Sequence, residues 1–195
     1  MIIFDKEIAS LASVILGMSI EVPYVLVILK GRVRPHFFSW LVWTFISAVS
    51  ATIQYMNGGG VGVWFLIYHS ILLCSVTVLS LRYGTKDIHA TDWVSLFFCG
   101  VAILFWIFMK DPLPSLLLML TIDGCAYYPT ARKSWKAPEE EAAFSWYGSG
   151  FASLLSIYAL QTYSLATYLY PSVIATLNIG LGCMLLIRRR FVVKH

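Results

Sequence analysis

Apolar runs of about 20 residues follow one another along this chain, separated by short polar breaks. They cover 8–30, 37–57, 61–82, 92–109, 112–133, 143–163 and 165–187. At about 1.5 Å of rise per residue, a helix of that length crosses the roughly 30 Å hydrocarbon layer of a bilayer. The breaks carry turn chemistry. Asn57-Gly58-Gly59-Gly60 supplies residues that accept positive φ. Asp111-Pro112-Leu113-Pro114 places proline where a new helix begins and its missing N–H costs nothing. Connections this short force consecutive helices to run antiparallel. The pattern predicts an all-α polytopic membrane protein with seven transmembrane helices.

The chain also repeats itself. At an offset of 106 residues, Pro23 falls on Pro129, Lys30 on Lys136, and Phe38-Ser39-Trp40 on Phe144-Ser145-Trp146. Phe45, Ser47 and Ser50 fall on Phe151, Ser153 and Ser156, giving 8 identities in the 29 pairs from 23 to 51. The offset relates the first span to the fifth, the second to the sixth and the third to the seventh. The fourth has no partner. Copies separated by an even number of spans share one orientation, so the expected architecture is 3+1+3. Two parallel triple-helix bundles, 1–90 and 111–195, flank an inverting helix in 91–110.

Composition agrees with a membrane interior: hydrophobic residues make up 59% of the chain and charged residues 12%. No soluble domain fits beside seven spans in 195 residues. With seven spans, 12 of the 14 Lys and Arg residues fall on one side, and only Lys6 and Lys110 on the other. The positive-inside rule then puts the N-terminus outside and the C-terminus in the cytoplasm, in what is expected to be a bacterial inner membrane. The net charge of +4 therefore serves topology and not nucleic-acid binding. The first apolar run lacks a basic leader and is expected to remain as a span. Cys74, Cys99, Cys125 and Cys183 lie inside apolar runs and imply neither a disulfide framework nor a zinc site.

Polar residues inside the spans are the candidate chemistry. Asp123 lies about eleven residues from either end of the fifth span, near the midplane, where an ionisable side chain is costly. It suits a proton or solute site; the alternative is a hydrogen-bonded carboxyl that holds helices together. Glu21, two residues before Pro23, fits an inner gate or an interfacial pair with Arg32 or Arg34. His69 and Asn178 occupy matching parts of the third and seventh spans: the offset sets Asn178 against Leu72, one turn from His69. Either can line a pocket or satisfy itself between helices. Trp43 can stack on a ring-shaped substrate or simply pack. Gln54 and Gln161 stand at the outer ends of the second and sixth spans, as vestibule or interface residues. Pro23 and Pro129 each free a helical carbonyl and form a pair of candidate hinges. Gly148 and Gly150 make a small-residue face for close helix approach. Glu139-Glu140-Glu141 follows a basic stretch and reads as a solvated loop. There is no metal-ligand cluster, phosphate loop or nucleophile elbow, so no catalytic residue, metal or cofactor is expected.

The proline in the first helix of each half, the lysine seven residues later, and the Ser-Trp opening of each second helix resemble the SWEET and PQ-loop superfamily of membrane transporters. The resemblance covers most of the chain as a divergent member. The Pro-Gln pair is replaced by Pro23-Tyr24 and Pro129-Thr130, and neither second helix carries a proline. The resemblance implies alternating access between the two bundles around a midplane site. It also implies an asparagine facing the substrate in the third helix of a half, a place filled by Asn178 and, in the first half, by His69. The expected function is transport of a small polar solute (a sugar, amino acid or vitamin-like metabolite), with proton coupling through Asp123 left open. The alternative is a receptor or binding protein of the same fold without flux. Partners are the solute, the lipid bilayer and, on the coupled reading, protons. One chain holds both bundles, so the oligomeric state is left open.

Overall fold

A computed structural model describes residues 5–31, 35, 37–84, 90–109, 112–136, 138 and 143–191. Among them every regular element is a helix. The helices are α1 (Lys6–Leu29), α2 (Phe37–Met56), α3 (Trp64–Tyr83), α4 (Ala90–Met109), α5 (Pro112–Lys136), α6 (Ala143–Tyr158) and α7 (Leu165–Phe191), with a 3₁₀ turn at Gly60–Val63 leading into α3. The Glu139–Glu141 loop lies outside the described residues.

Helix ends follow local chemistry. Asp5 caps α1, its Oδ1 accepting from the Glu7 N–H at 3.2 Å. Gly31, at φ 67°, ends α1 with its N–H on the Ile28 carbonyl. Gly58 and Gly60, at φ 77° and 60°, turn the chain between α2 and α3.

Helix α1 displays the membrane character of the chain in its two faces. Ser10, Ser13, Gly17 and Glu21 are buried, whereas Ile8, Leu11, Ile15, Met18, Val22 and Leu26 are exposed. The buried set follows the three-to-four-residue spacing of one helical face. Apolar side out and polar side in is the pattern expected where the solvent is lipid. Four helical segments are long and apolar enough to cross a membrane: Lys6–Leu29, Phe37–Met56, Gly60–Tyr83 and Leu165–Phe191. Shorter apolar stretches, Leu96–Phe105 and Leu113–Cys125, lie in α4 and α5. Helix α6 is 16 residues long and ends five residues short of the expected span 143–163. The chain turns there because the N–H groups of Gln161 and Thr162 leave the helix and bond to the Gly59 and Gly58 carbonyls, both at 3.1 Å.

In the first half α3 packs on both α1 and α2, whose backbones stand apart while Tyr24 of α1 stacks on Trp40 of α2 at 5.3 Å; in the second half α7 packs likewise on α5 and α6. Between the halves α1 lies on α6, α2 on α5 and α7, and α3 on α6, while α4 packs on α2 and α5. Close approach depends on glycine. A Cβ at Gly148 would collide with Ile20 of α1, and one at Gly150 would stand 2.6 Å from Ile179 of α7.

The apolar core is shared at one end and divided at the other. One cluster draws on all seven helices, with Val14, Ile46, Leu66, Cys99, Met119, Ala152 and Tyr170 among its members. The other two are confined to single halves. One gathers Ile28, Leu72 and Val76 with Tyr24 and Trp40, and the other Leu181, Leu185 and Ala143 with Tyr127 and Trp146. These divided cores lie toward the end bearing Lys30, Arg82 and Arg188–Arg190, here termed the basic end.

Polar contacts tie the halves together at the opposite, glycine-loop end. Besides the two backbone bonds from Gln161 and Thr162, Lys6 Nζ donates to the Leu160 carbonyl at 2.6 Å, next to the Tyr163 ring. Gln54 Nε2 donates to the Thr167 carbonyl at 2.5 Å. Pro171 explains that acceptor. It lies inside α7 and has no N–H to offer the carbonyl four residues earlier, so Thr167 accepts from α2 instead.

Candidate functional site

Where the shared core divides, polar side chains form a belt. On each of six helices one polar residue stands between a member of the shared cluster and a member of a divided one. Glu21 stands between Leu16 and Tyr24, Trp43 between Ile46 and Trp40, and His69 between Leu66 and Leu72. Asp123 stands between Ile122 and Tyr127, Ser149 between Ala152 and Trp146, and Asn178 between Ile174 and Leu181. Among the described residues α4 contributes none.

The belt contains two direct pairs. Glu21 Oε1 and His69 Nδ1 share a hydrogen bond at 2.7 Å, linking α1 to α3. The Tyr127 hydroxyl donates to Asn178 Oδ1 at 2.7 Å, linking α5 to α7. Glu21 and Tyr127 are 106 residues apart, so the two pairs spring from one repeat position on the first helix of each half. A second equivalence crosses the seam. Ser149 of the second half reaches Glu21 Oε1 at 3.5 Å, and its repeat equivalent Trp43 brings its indole beside Asp123 without completing a hydrogen bond. His69 lies within electrostatic reach of both carboxyl groups.

Bonding in the belt is incomplete. Glu21 and Asp123 are 8% and 2% exposed, yet Glu21 Oε2 and Asp123 Oδ2 have no partner. Trp43 Nε1 and the Tyr68 hydroxyl are equally unsatisfied. Each such group costs about 1–3 kcal/mol, and more where it is charged. Aromatic rings surround these atoms. Trp43 and Tyr127 face across the seam with centroids 6.5 Å apart, and Tyr127 continues to Trp146 at 5.8 Å. Trp43 also meets Trp40 edge-on at 5.5 Å, and Phe65 stacks on His69 at 5.6 Å. Among the described residues no three His, Cys, Asp or Glu side chains are grouped to share a metal ion.

The fold thus brings together Asp123, His69, Asn178, Trp43 and Glu21. Glu21 faces inward to His69 instead of reaching the interface; Arg32 and Arg34, its alternative partners, lie outside the described residues. Gln54 and Gln161 are apart from the belt. Gln54 is 1% exposed and engaged with Thr167, so it lines no vestibule. Gln161 lies beyond the end of α6 against Gly60. Helix α1 runs unbroken through Pro23, which is exposed. Position 129 is within α5, with the proline side chain outside the described residues. Tyr127 and Ser149 belong to the belt although neither stood out as a polar residue of a span. The offset of 106 that pairs them with Glu21 and Trp43 was the available signal. No protein-family model, curated protein or solved structure matches this chain.

Proposed function

We propose that this protein is an integral membrane transporter that moves a small polar solute by rocking two three-helix bundles about the polar belt. The observation that carries this reading is the position of the belt. Buried, incompletely bonded polar groups from both halves stand where a single apolar core becomes two. Such a fork is where a solute site must lie if one end is closed and the other parts. The exchange of helix contacts supports it too: α1 on α6 is answered by α5 on α2, and α3 on α6 by α7 on α2. Such an exchange is what two related bundles joined by α4 would give, and on this reading the layout is 3+1+3, as the resemblance to SWEET and PQ-loop transporters implies. In this arrangement the glycine-loop end is the closed one. The distribution of Lys and Arg assigns it to the outside, with the N-terminus, and the basic end to the cytoplasm of a bacterial inner membrane.

The test is uptake and counterflow in proteoliposomes, with sugars, amino acids, nucleosides and vitamins as solutes. The expected result is saturable counterflow of one class that falls sharply in Asn178→Ala and Asp123→Asn. Saturable binding without counterflow would support the receptor alternative, and neither binding nor flux across the panel would defeat the transporter reading.

A further inference from the structure

We infer that the solute class of this site is a small primary ammonium ion, held by Glu21 of one half and Asp123 of the other against the Trp43 and Tyr127 rings. The inference rests on the transporter reading and deepens it.

Charge balance comes first. The belt holds two carboxyl groups and a single histidine. Among the described residues the Lys and Arg side chains stand at helix ends: Lys6 and Lys30 at the two ends of α1, Arg82 in the last turn of α3, and Arg188–Arg190 in the last turn of α7. The basic residues near the end of α5 begin nine residues beyond Asp123, roughly 13 Å along the helix. Two ionised carboxylates facing one imidazolium leave a negative charge in a low-dielectric interior, and a bound cation removes it.

Bonding points the same way. The free carboxyl atoms, Glu21 Oε2 and Asp123 Oδ2, belong one to α1 and one to α5, so each half supplies one. A primary ammonium has N–H donors enough to meet both, and so joins the halves on binding. A neutral sugar supplies donors but leaves the charge, and an anion is repelled by both acids. The aromatic pair Trp43–Tyr127 spans the same seam and offers faces that attract a cation. An acid on each half is also what a rocking transporter needs, since the cation is fully coordinated only when both halves contribute.

The experiment is ligand-induced thermal stabilisation of the full-length protein in detergent, with n-butylamine, n-butanol, tetramethylammonium and glucose as probes, at a pH where the amine is protonated. Butylamine is expected to stabilise saturably and butanol of the same shape to do nothing. Glu21→Gln and Asp123→Asn are each expected to weaken butylamine binding by about tenfold or more, the loss of one charge-assisted hydrogen bond. Equal responses to butylamine and butanol would overturn the inference even if the variants failed to fold. So would tetramethylammonium binding more tightly than butylamine, because the N–H bonds to the acids would then be idle. Stabilisation by glucose that depends on Asn178, with no response to butylamine, would overturn the ammonium class and leave the transporter reading standing. Silence from all four probes, followed by a flat proteoliposome panel, would sink both.

Discussion

The two halves place a hydrogen-bonded pair at the same point of their architecture and fill it with different chemistry. In the first half the pair is Glu21 and His69; in the second it is Tyr127 and Asn178. Both span 2.7 Å and both join the first helix of a half to its third. The second pair is neutral, whereas the first is ionisable and leaves Glu21 Oε2 without a partner. The second half carries its acid one turn earlier, at Asp123, where the equivalent residue of the first half is Gly17. Gly17 allows the Phe65 and Tyr68 rings to press against α1, with ring atoms 3.0 and 3.2 Å from where a Cβ would stand. Matching helix positions thus carry an asymmetric site: the hydrogen-bonded pairs join corresponding helices, and their charge differs.

The sharpest way to break this comparison is to remove one member of each pair. His69→Leu leaves the Glu21 carboxyl with no close partner beyond the Ser149 hydroxyl at 3.5 Å and the neighbouring Tyr68 hydroxyl, and is expected to cost about 3 kcal/mol or more. The check is equilibrium unfolding in mixed micelles beside Tyr127→Phe. Equal losses would mean that the two pairs are energetically alike.

The glycine-loop end gives the next effect. Gly60→Val forces a β-branched residue to φ 60° and drives it into the Gln161 side chain. The backbone term alone is about 1–2 kcal/mol. The expected result is a lower melting temperature together with faster thiol labelling of a cysteine placed at position 162, as the backbone bonds to Gln161 and Thr162 open. Unchanged labelling would show that these bonds do not close that end.

A subtler cycle tests the joint between α2 and α7. Gln54→Leu leaves the Thr167 carbonyl unsatisfied, at about 1–2 kcal/mol. Pro171→Ala returns an N–H to that carbonyl, so Gln54→Leu should cost less in the Pro171→Ala background. Additive losses would remove Pro171 as the reason for the Gln54 contact. The smallest effect is expected from Tyr127→Phe, about 1 kcal/mol or less, as for other hydrogen bonds between membrane helices. Its mark should fall on solute binding more than on stability.

Much of the helix layout was legible in the chain. Spans drawn from apolar runs at 8–30, 37–57 and 61–82 meet helices Lys6–Leu29, Phe37–Met56 and Gly60–Tyr83 with small shifts at their ends. The sixth did not hold its length. Apolar character continues past Tyr158, but the backbone there is claimed by Gly58 and Gly59, a long-range contact that hydropathy does not record. The site was legible in part. Asp123, His69 and Asn178 announced themselves by polarity within apolar runs. Glu21 was legible as a polar residue of its span but not in its direction, because proximity to a helix end allowed an exit to the interface as well as an inward gate. Gln54, open between vestibule and interface in the sequence, could not be decided there, because its partner is created by a proline 117 residues away.

What the sequence determined by itself was the alternation of apolar runs and turns, since burial in lipid depends on local composition and length. It also determined the internal repeat, the asymmetry of positive charge, and which spans carry a polar residue. Tertiary structure alone decided that Glu21 faces His69, that Asp123 approaches Trp43 across the seam, and that the core is one body at the glycine-loop end and two at the basic end. These are outcomes of packing between helices distant in the chain. An interior hydrogen bond depends on which faces meet, and no periodicity along a single helix specifies its neighbour.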